Sequence, residues 1–133
     1  MIFEEALVME LKSITALNDH VYPLNAPEKV RKTGAPYLIY ISSQGVRTKT
    51  LGGYRGGKRV SVELNVVAST YESMKEITAS VIKLIEGMEQ RTIGEDGPYL
   101  QEVTYEEPVE LYESAPALFR CLIDFTTFFE EVD

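Results

Sequence analysis

The chain has 133 residues, a length that suits one domain with a single core. It carries 21 acids against 13 cations, a net charge of -8, which argues against general nucleic-acid binding because such domains are basic. No apolar run reaches the roughly 18 residues of a membrane span, the acidic start Met1-Ile2-Phe3-Glu4-Glu5 is unlike a signal peptide, and Cys121 stands alone, so no internal disulfide forms and a reducing compartment is permitted.

Phe3, Leu7, Leu11 and Ile14 form one apolar stripe and predict a helix over residues 2–17. Residues 18–35 are punctuated by Asn, Pro and Gly and read as irregular. Tyr37–Ser43 is rich in aromatic and β-branched types and predicts a strand. Residues 44–59 read as a long glycine-rich loop, of the kind that is usually functional or disordered. Val60–Ala68 alternates through Val60, Val62, Leu64 and Val66, a half-buried strand with one wet face. A helix follows over about 71–86, with Ser69 and Glu72 as a capping box and Met74, Ile77, Val81, Leu84, Ile85 and Met88 as its buried stripe. Residues 89–98 are turn-like, 99–105 predict a strand, and Glu106–Ala115 reads as an acidic connection. The last strand, 117–129, is apolar on both faces and therefore central or part of a subunit interface. The order α–β–β–α–β–β predicts an α+β fold: about four strands in an antiparallel or mixed sheet, two helices packed on it, in one domain over residues 1–133.

The charge is unevenly distributed. From Lys29 to Arg59 there are eight cations and no acid; from Glu95 to Asp133 there are eleven acids and one cation, Arg120. The basic loop gives one candidate partner-binding set: Arg47, Lys49, Tyr54, Arg55, Lys58 and Arg59. Copies with such poles on different sides of the fold would pack head to tail, a contact that generates rings or filaments. The competing explanation is a solvated surface with unequal faces.

Catalytic motifs fail on inspection. Gly52-Gly-Tyr-Arg-Gly-Gly-Lys58 matches the first seven positions of a P-loop, but Arg59 stands where Ser or Thr must hold Mg²⁺, and a strand follows where a helix is needed. His20 is the only histidine, which is too few for a histidine metal site, and Cys121 falls on the interior face of a strand, as a structural cysteine does. Glu106, Glu107 and Glu110 lack the spacing of a calcium loop and read as solvated acids. No enzyme activity and no cofactor are expected. Tyr22, Tyr37, Tyr40 and Tyr54 lie near the basic segment, so a small nucleic-acid-binding module using loop 44–59 is the alternative reading; core and interface roles suit tyrosine in an acidic protein better.

The order of elements resembles the tail completion, head-to-tail joining or tail-terminator proteins of long-tailed bacteriophages. The likeness is carried by Val21-Tyr22-Pro23 through Ala26-Pro27, by Pro36-Tyr37-Leu38-Ile39-Tyr40, by Gly52–Arg59 followed by Val60–Tyr71, and by Arg120–Phe129. The resemblance implies a structural virion protein made in the host cytoplasm. It implies a ring, typically of six copies, at the head-proximal end of the tail, with the chain monomeric before assembly. That ring would end the tail tube and dock on the head connector, so the expected partners are other copies of the chain, the tail tube protein and the connector. DNA would pass through without specific binding, and no membrane is involved. On this reading Glu102, Glu106, Glu107, Glu110 and Glu113 are candidates to line an acidic lumen that repels DNA.

Overall fold

The computed structural model describes residues 2–43, 46–50, 53–114 and 117–130, with side chains for all of these except 46–50 and 53–56. The elements are α1 (Phe3–Lys12), β1 (Val21–Pro23), α2 (Glu28–Thr33), β2 (Tyr37–Ser42), β3 (Val46–Thr50), β4 (Gly53–Ala68), α3 (Tyr71–Gly87), β5 (Arg91–Thr92), β6 (Tyr99–Tyr105), β7 (Val109–Ser114) and β8 (Ala117–Glu130). A short 3-10 turn at Thr15–Leu17 follows α1.

The expected class, about four strands with two helices, is therefore corrected: the protein is mostly sheet, eight strands in one sheet, with three helices in the described residues. The four expected strands are present as β2, the second half of β4, β6 and β8, and four more join them in the sheet. The sheet is built on two long antiparallel strands, β4 and β8, paired from Gly57↔Glu130 to Ala68↔Phe119. Each carries two shorter strands end to end along its outer edge. β2 and β3 share the free edge of β4, through Tyr37↔Val67 to Ser42↔Val62 and then Val46↔Arg59 to Thr50↔Gly53. β7 and β6 share the free edge of β8, through Ser114↔Ala117 to Val109↔Leu122 and then Tyr105↔Phe125 to Leu100↔Phe129.

The reason the acidic connection became a strand lies in one residue. Between Tyr105↔Phe125 and Val109↔Leu122, residues 106–108 face only residues 123 and 124, so one residue is extra. Pro108 has no N–H to give a ladder, and Glu106 N–H still donates to the Asp124 carbonyl at 2.9 Å. The arm kinks at Pro108 as at a bulge and resumes its pairing on the far side. Residues 46–50 and 53–59 of the glycine-rich stretch, expected as a loop, are strand for a related reason. Glycine punctuates, but Val46, Thr48 and Thr50 set β-branched residues at every second position, and the long partner strand β4 supplies the ladder that isolated propensity does not.

Helices α1 and α3 cover one face of the sheet. Phe3, Ala6, Leu7 and Leu11 of α1 and Met74, Ile77, Val81 and Ile85 of α3 pack on Val60, Val62, Leu64 and Val66 of β4 and Cys121, Ile123, Phe125 and Phe129 of β8. Phe3 and Phe129 stack with ring centroids 5.3 Å apart. The expected first helix stops early. Ser13 Oγ donates to the Glu10 carbonyl at 2.6 Å, and Asn18 and Asp19 turn the chain in the left-handed region, where short polar side chains are tolerated. Ile14 and Leu17 stay buried all the same. The cap of α3 is Thr70, whose Oγ1 accepts from Ser73 N–H at 3.2 Å; the expected Ser69–Glu72 box is not the device used.

On the opposite face a smaller cluster of Ala26, Tyr37, Ile39 and Val67, flanked by Tyr22, Val30 and Leu118, sits under α2 and covers one end of the sheet. Ile41, Val109 and Leu111 remain exposed on strands of this sheet.

Candidate interaction surface

The two charge poles meet the fold at opposite edges. β3, sequence V-R-T-K-T, lies on the outer side of β4, and β7, sequence V-E-L-Y-E-S, lies on the outer side of β8, with the β4–β8 ladder between them. Of the candidate partner-binding residues, Arg47 and Lys49 sit on β3 and Tyr54, Arg55, Lys58 and Arg59 on β4. Their backbones form one hairpin ladder, with Arg47 opposite Lys58 and Lys49 opposite Tyr54. The side chains of Arg47, Lys49, Tyr54 and Arg55 lie outside the described residues. Lys58 pairs with Phe129 and lines a cleft of about 760 Å³ with Phe3, Pro98, Tyr99 and Glu130, whereas Arg59 pairs with Phe128 on the other face. Alternation thus sends the neighbouring cations Lys58 and Arg59 to opposite faces.

The acids are also split. Glu102 lies on β6, Glu106 and Glu107 at the kink, and Glu110 and Glu113 on β7. Glu110 accepts from Tyr71 Oη at 3.1 Å and pairs with Lys75 Nζ at 2.8 Å, so the ammonium holds its carboxyl below the usual carboxylate range. Glu113 pairs with Arg120 Nε at 2.8 Å. Arg120 also reaches Asn65 Oδ1 at 3.2 Å, and Asn65 Nδ2 donates to Glu63, a polar chain across β7, β8 and β4. These two glutamates neutralise cations within the subunit, from strand positions of different parity.

Sequence reasoning missed the apolar character of this edge. Val109 is 56% exposed, Leu111 47% and Tyr112 57%, and β7 pairs only with β8 among the described strands. The available signal was the bracketing of a Val-x-Leu alternation by Pro108 and Pro116. It also missed the tie that fixes α1. Glu10 takes both Arg91 Nη atoms, at 2.9 and 2.7 Å, and Gly94 N–H at 2.8 Å, and the Arg91 hydrogen bonds hold its carboxyl below the usual range against the opposing effect of burial.

The residues weighed for catalysis stay apart. Cys121 is buried on the helix side of β8, and burial pushes its thiol up. His20 precedes β1 at the far edge, stacked on Tyr22, with β2 and β4 intervening; three strand spacings are roughly 14 Å. Among the described residues no group of three or more His, Cys, Asp or Glu side chains could hold a metal ion, and no helix is long and apolar enough to cross a membrane.

The described sheet of eight strands, with α1 and α3 on one face and α2 on the other, thus carries oppositely charged segments at opposite edges. Solved structures share the fold. A chain from the virion of a native gene transfer agent particle is 14% identical, covers 97% of this chain and 95% of its own length, and superposes with a TM-score of 0.71. A second solved protein, whose description names no activity, is 16% identical over 98% of this chain and 92% of its own, with a TM-score of 0.56. No curated protein matches the chain significantly. The family model for tail completion protein gp17 matches residues 5–130, and the chain belongs to that family. It is a structural protein of a bacteriophage-type tail, located in the virion.

Proposed function

We propose that the protein forms a ring of identical copies at the head-proximal end of the tail, where it ends the tail tube and joins the tail to the head connector. The observation that carries this reading is the placement of the basic β3–β4 hairpin and the acidic β6–β7 arm at opposite edges of one sheet in a tail completion protein. Each copy then offers two different, complementary surfaces, which is what a closed heterologous assembly requires. Copies of the chain are monomers before assembly and six in the ring, and the tail tube protein and the connector contact its two rims. Residues Arg47, Lys49 and Arg55 are the docking cations. The acids toward the passing DNA are Glu102, Glu106 and Glu107, since Glu110 and Glu113 are engaged by Lys75 and Arg120. The role is mechanical, with no reaction to catalyse.

The test is electron microscopy of lysates in which the gene is deleted. Filled heads beside unattached tails are expected, and overlong tails would add termination to joining. Normal virions would overturn the reading, and the hairpin would then be assayed for salt-sensitive DNA retention. Reversing charge at Arg47, Lys49 and Arg55 together should leave the fold intact and block head–tail joining; normal infectious yield would remove those residues from the docking surface.

A further inference from the structure

The open edges themselves name a partner. β7 is six residues long, pairs only with β8 among the described strands, and exposes Val109, Leu111 and Tyr112. An exposed edge with apolar side chains invites another strand, and proteins that do not want one blunt the edge with charge, proline, a bulge or a covering element. Pro108 stands before β7, and residues 109–114 contain neither proline nor lysine. The carboxylates of β7, Glu110 and Glu113, each keep a partly exposed ion pair within the subunit, with Lys75 and Arg120.

We infer that β7 of one copy is completed by β3 of the next, joining the sheets of adjacent copies edge to edge. Charge decides between the available pairings. β7 against β7 would face glutamates with glutamates, and β3 against β3 would face Arg47 and Lys49 with their own kind; like charges opposite one another destabilise a strand pair. β3 against β7 sets two cations beside a strand whose own Glu110 and Glu113 stay partly exposed. The strands match in length, five residues against six, and sit at opposite edges of the same sheet, so each junction leaves one edge of each kind open for the next copy. β3 lies against the first half of β4 and β7 beside the segment of β8 that pairs with the second half, so successive sheets are staggered along the strand direction. The inference deepens the ring reading by naming its seam, and rests on that reading for closure.

Cysteine pairing in assembled particles tests it. Tyr112→Cys is combined with a cysteine at each of residues 46–50 in turn, and purified tails are oxidised and run without reductant. At least one of the five combinations should give a ladder of covalent oligomers ending at a fixed copy number, while Tyr112→Cys alone gives none. A dimer from Tyr112→Cys alone would replace the heterologous seam with an isologous one and overturn the inference. Tails that contain several copies by quantitative mass spectrometry yet give no ladder at any position would also overturn the seam and leave the ring standing. A single copy per tail would overturn both. Particle yield and tail morphology report whether each variant folds and assembles.

Discussion

The Glu10–Arg91 tie is the sharpest test of how α1 is held on the sheet. Glu10→Gln keeps the shape and removes the charge. The carboxylate accepts three hydrogen bonds, at 2.9 and 2.7 Å from Arg91 and 2.8 Å from Gly94. A glutamine has one acceptor oxygen and must aim its amide hydrogens at a guanidinium or a backbone N–H, so one or two of the three are lost. A hydrogen bond to a charged group contributes about 1.5–3 kcal/mol. The Arg91 side chain is 41% exposed and the Glu10 side chain 14%, so water screens part of the effect. The expected loss is about 1–3 kcal/mol at neutral pH, or roughly 3–5 °C in melting temperature for each kcal/mol at this size. The pH dependence is the stricter check. Glu10's carboxyl is depressed below its ordinary value of 4.5 in the folded state, so its contribution is present above that value and fades as pH falls through the depressed one. Urea unfolding of both proteins from pH 7 downward should show their stability difference constant at first and then closing below about pH 4.5. A difference that stays the same down to the lowest pH at which the protein folds would refute an ionic origin and leave only packing.

Other substitutions follow from the same geometry. A Cβ on Gly97 would lie 2.2 Å from the Ile93 carbonyl oxygen and 2.5 Å from Ala6 Cβ, so Gly97→Ala should cost about 1–3 kcal/mol, whereas Gly87→Ala, with nothing within 4 Å at the end of α3, should gain up to about 1 kcal/mol; thermal melts of the pair should move in opposite directions. Thr70→Ala removes the cap on Ser73 N–H and should cost about 1 kcal/mol, checked by the same melts, with Thr70→Ser restoring most of it. Cys121 is buried with its thiol pushed up by that burial, so a thiol reagent should react slowly with the native protein and promptly in denaturant; rapid native labelling would contradict the packing of β8.

Legibility in the sequence followed the kind of interaction that decides each element. The alternation of Val60–Val66 and the stripe of α3 are set by burial on one face, so period alone finds them. β3 and β7 are decided by pairing with the long strand that follows each of them: β3 with the first half of β4, from Thr50↔Gly53 to Val46↔Arg59, and β7 with β8, from Ser114↔Ala117 to Val109↔Leu122. Glycine, proline and glutamate in those stretches have the letters of connections, and only the ladder offered by a long neighbour overrules them. The same holds for the surface. The poles of charge were visible as composition, but their arrival at opposite edges depends on sheet order. The Glu10–Arg91 tie joins residues 81 positions apart, and nothing local marks either partner.

The pairing of β4 with β8 also fixes a sequence of events. Val62 meets Phe125 across more than sixty residues, and contacts of such separation make folding slow, because the loop must close before any pairing compensates it. Among the described strands β7 lies only on β8, and the two form a local hairpin from Ser114↔Ala117 to Val109↔Leu122 that does not wait for β4. Val109, Leu111 and Tyr112 are therefore set out along a strand before the β4–β8 ladder that carries the sheet is complete.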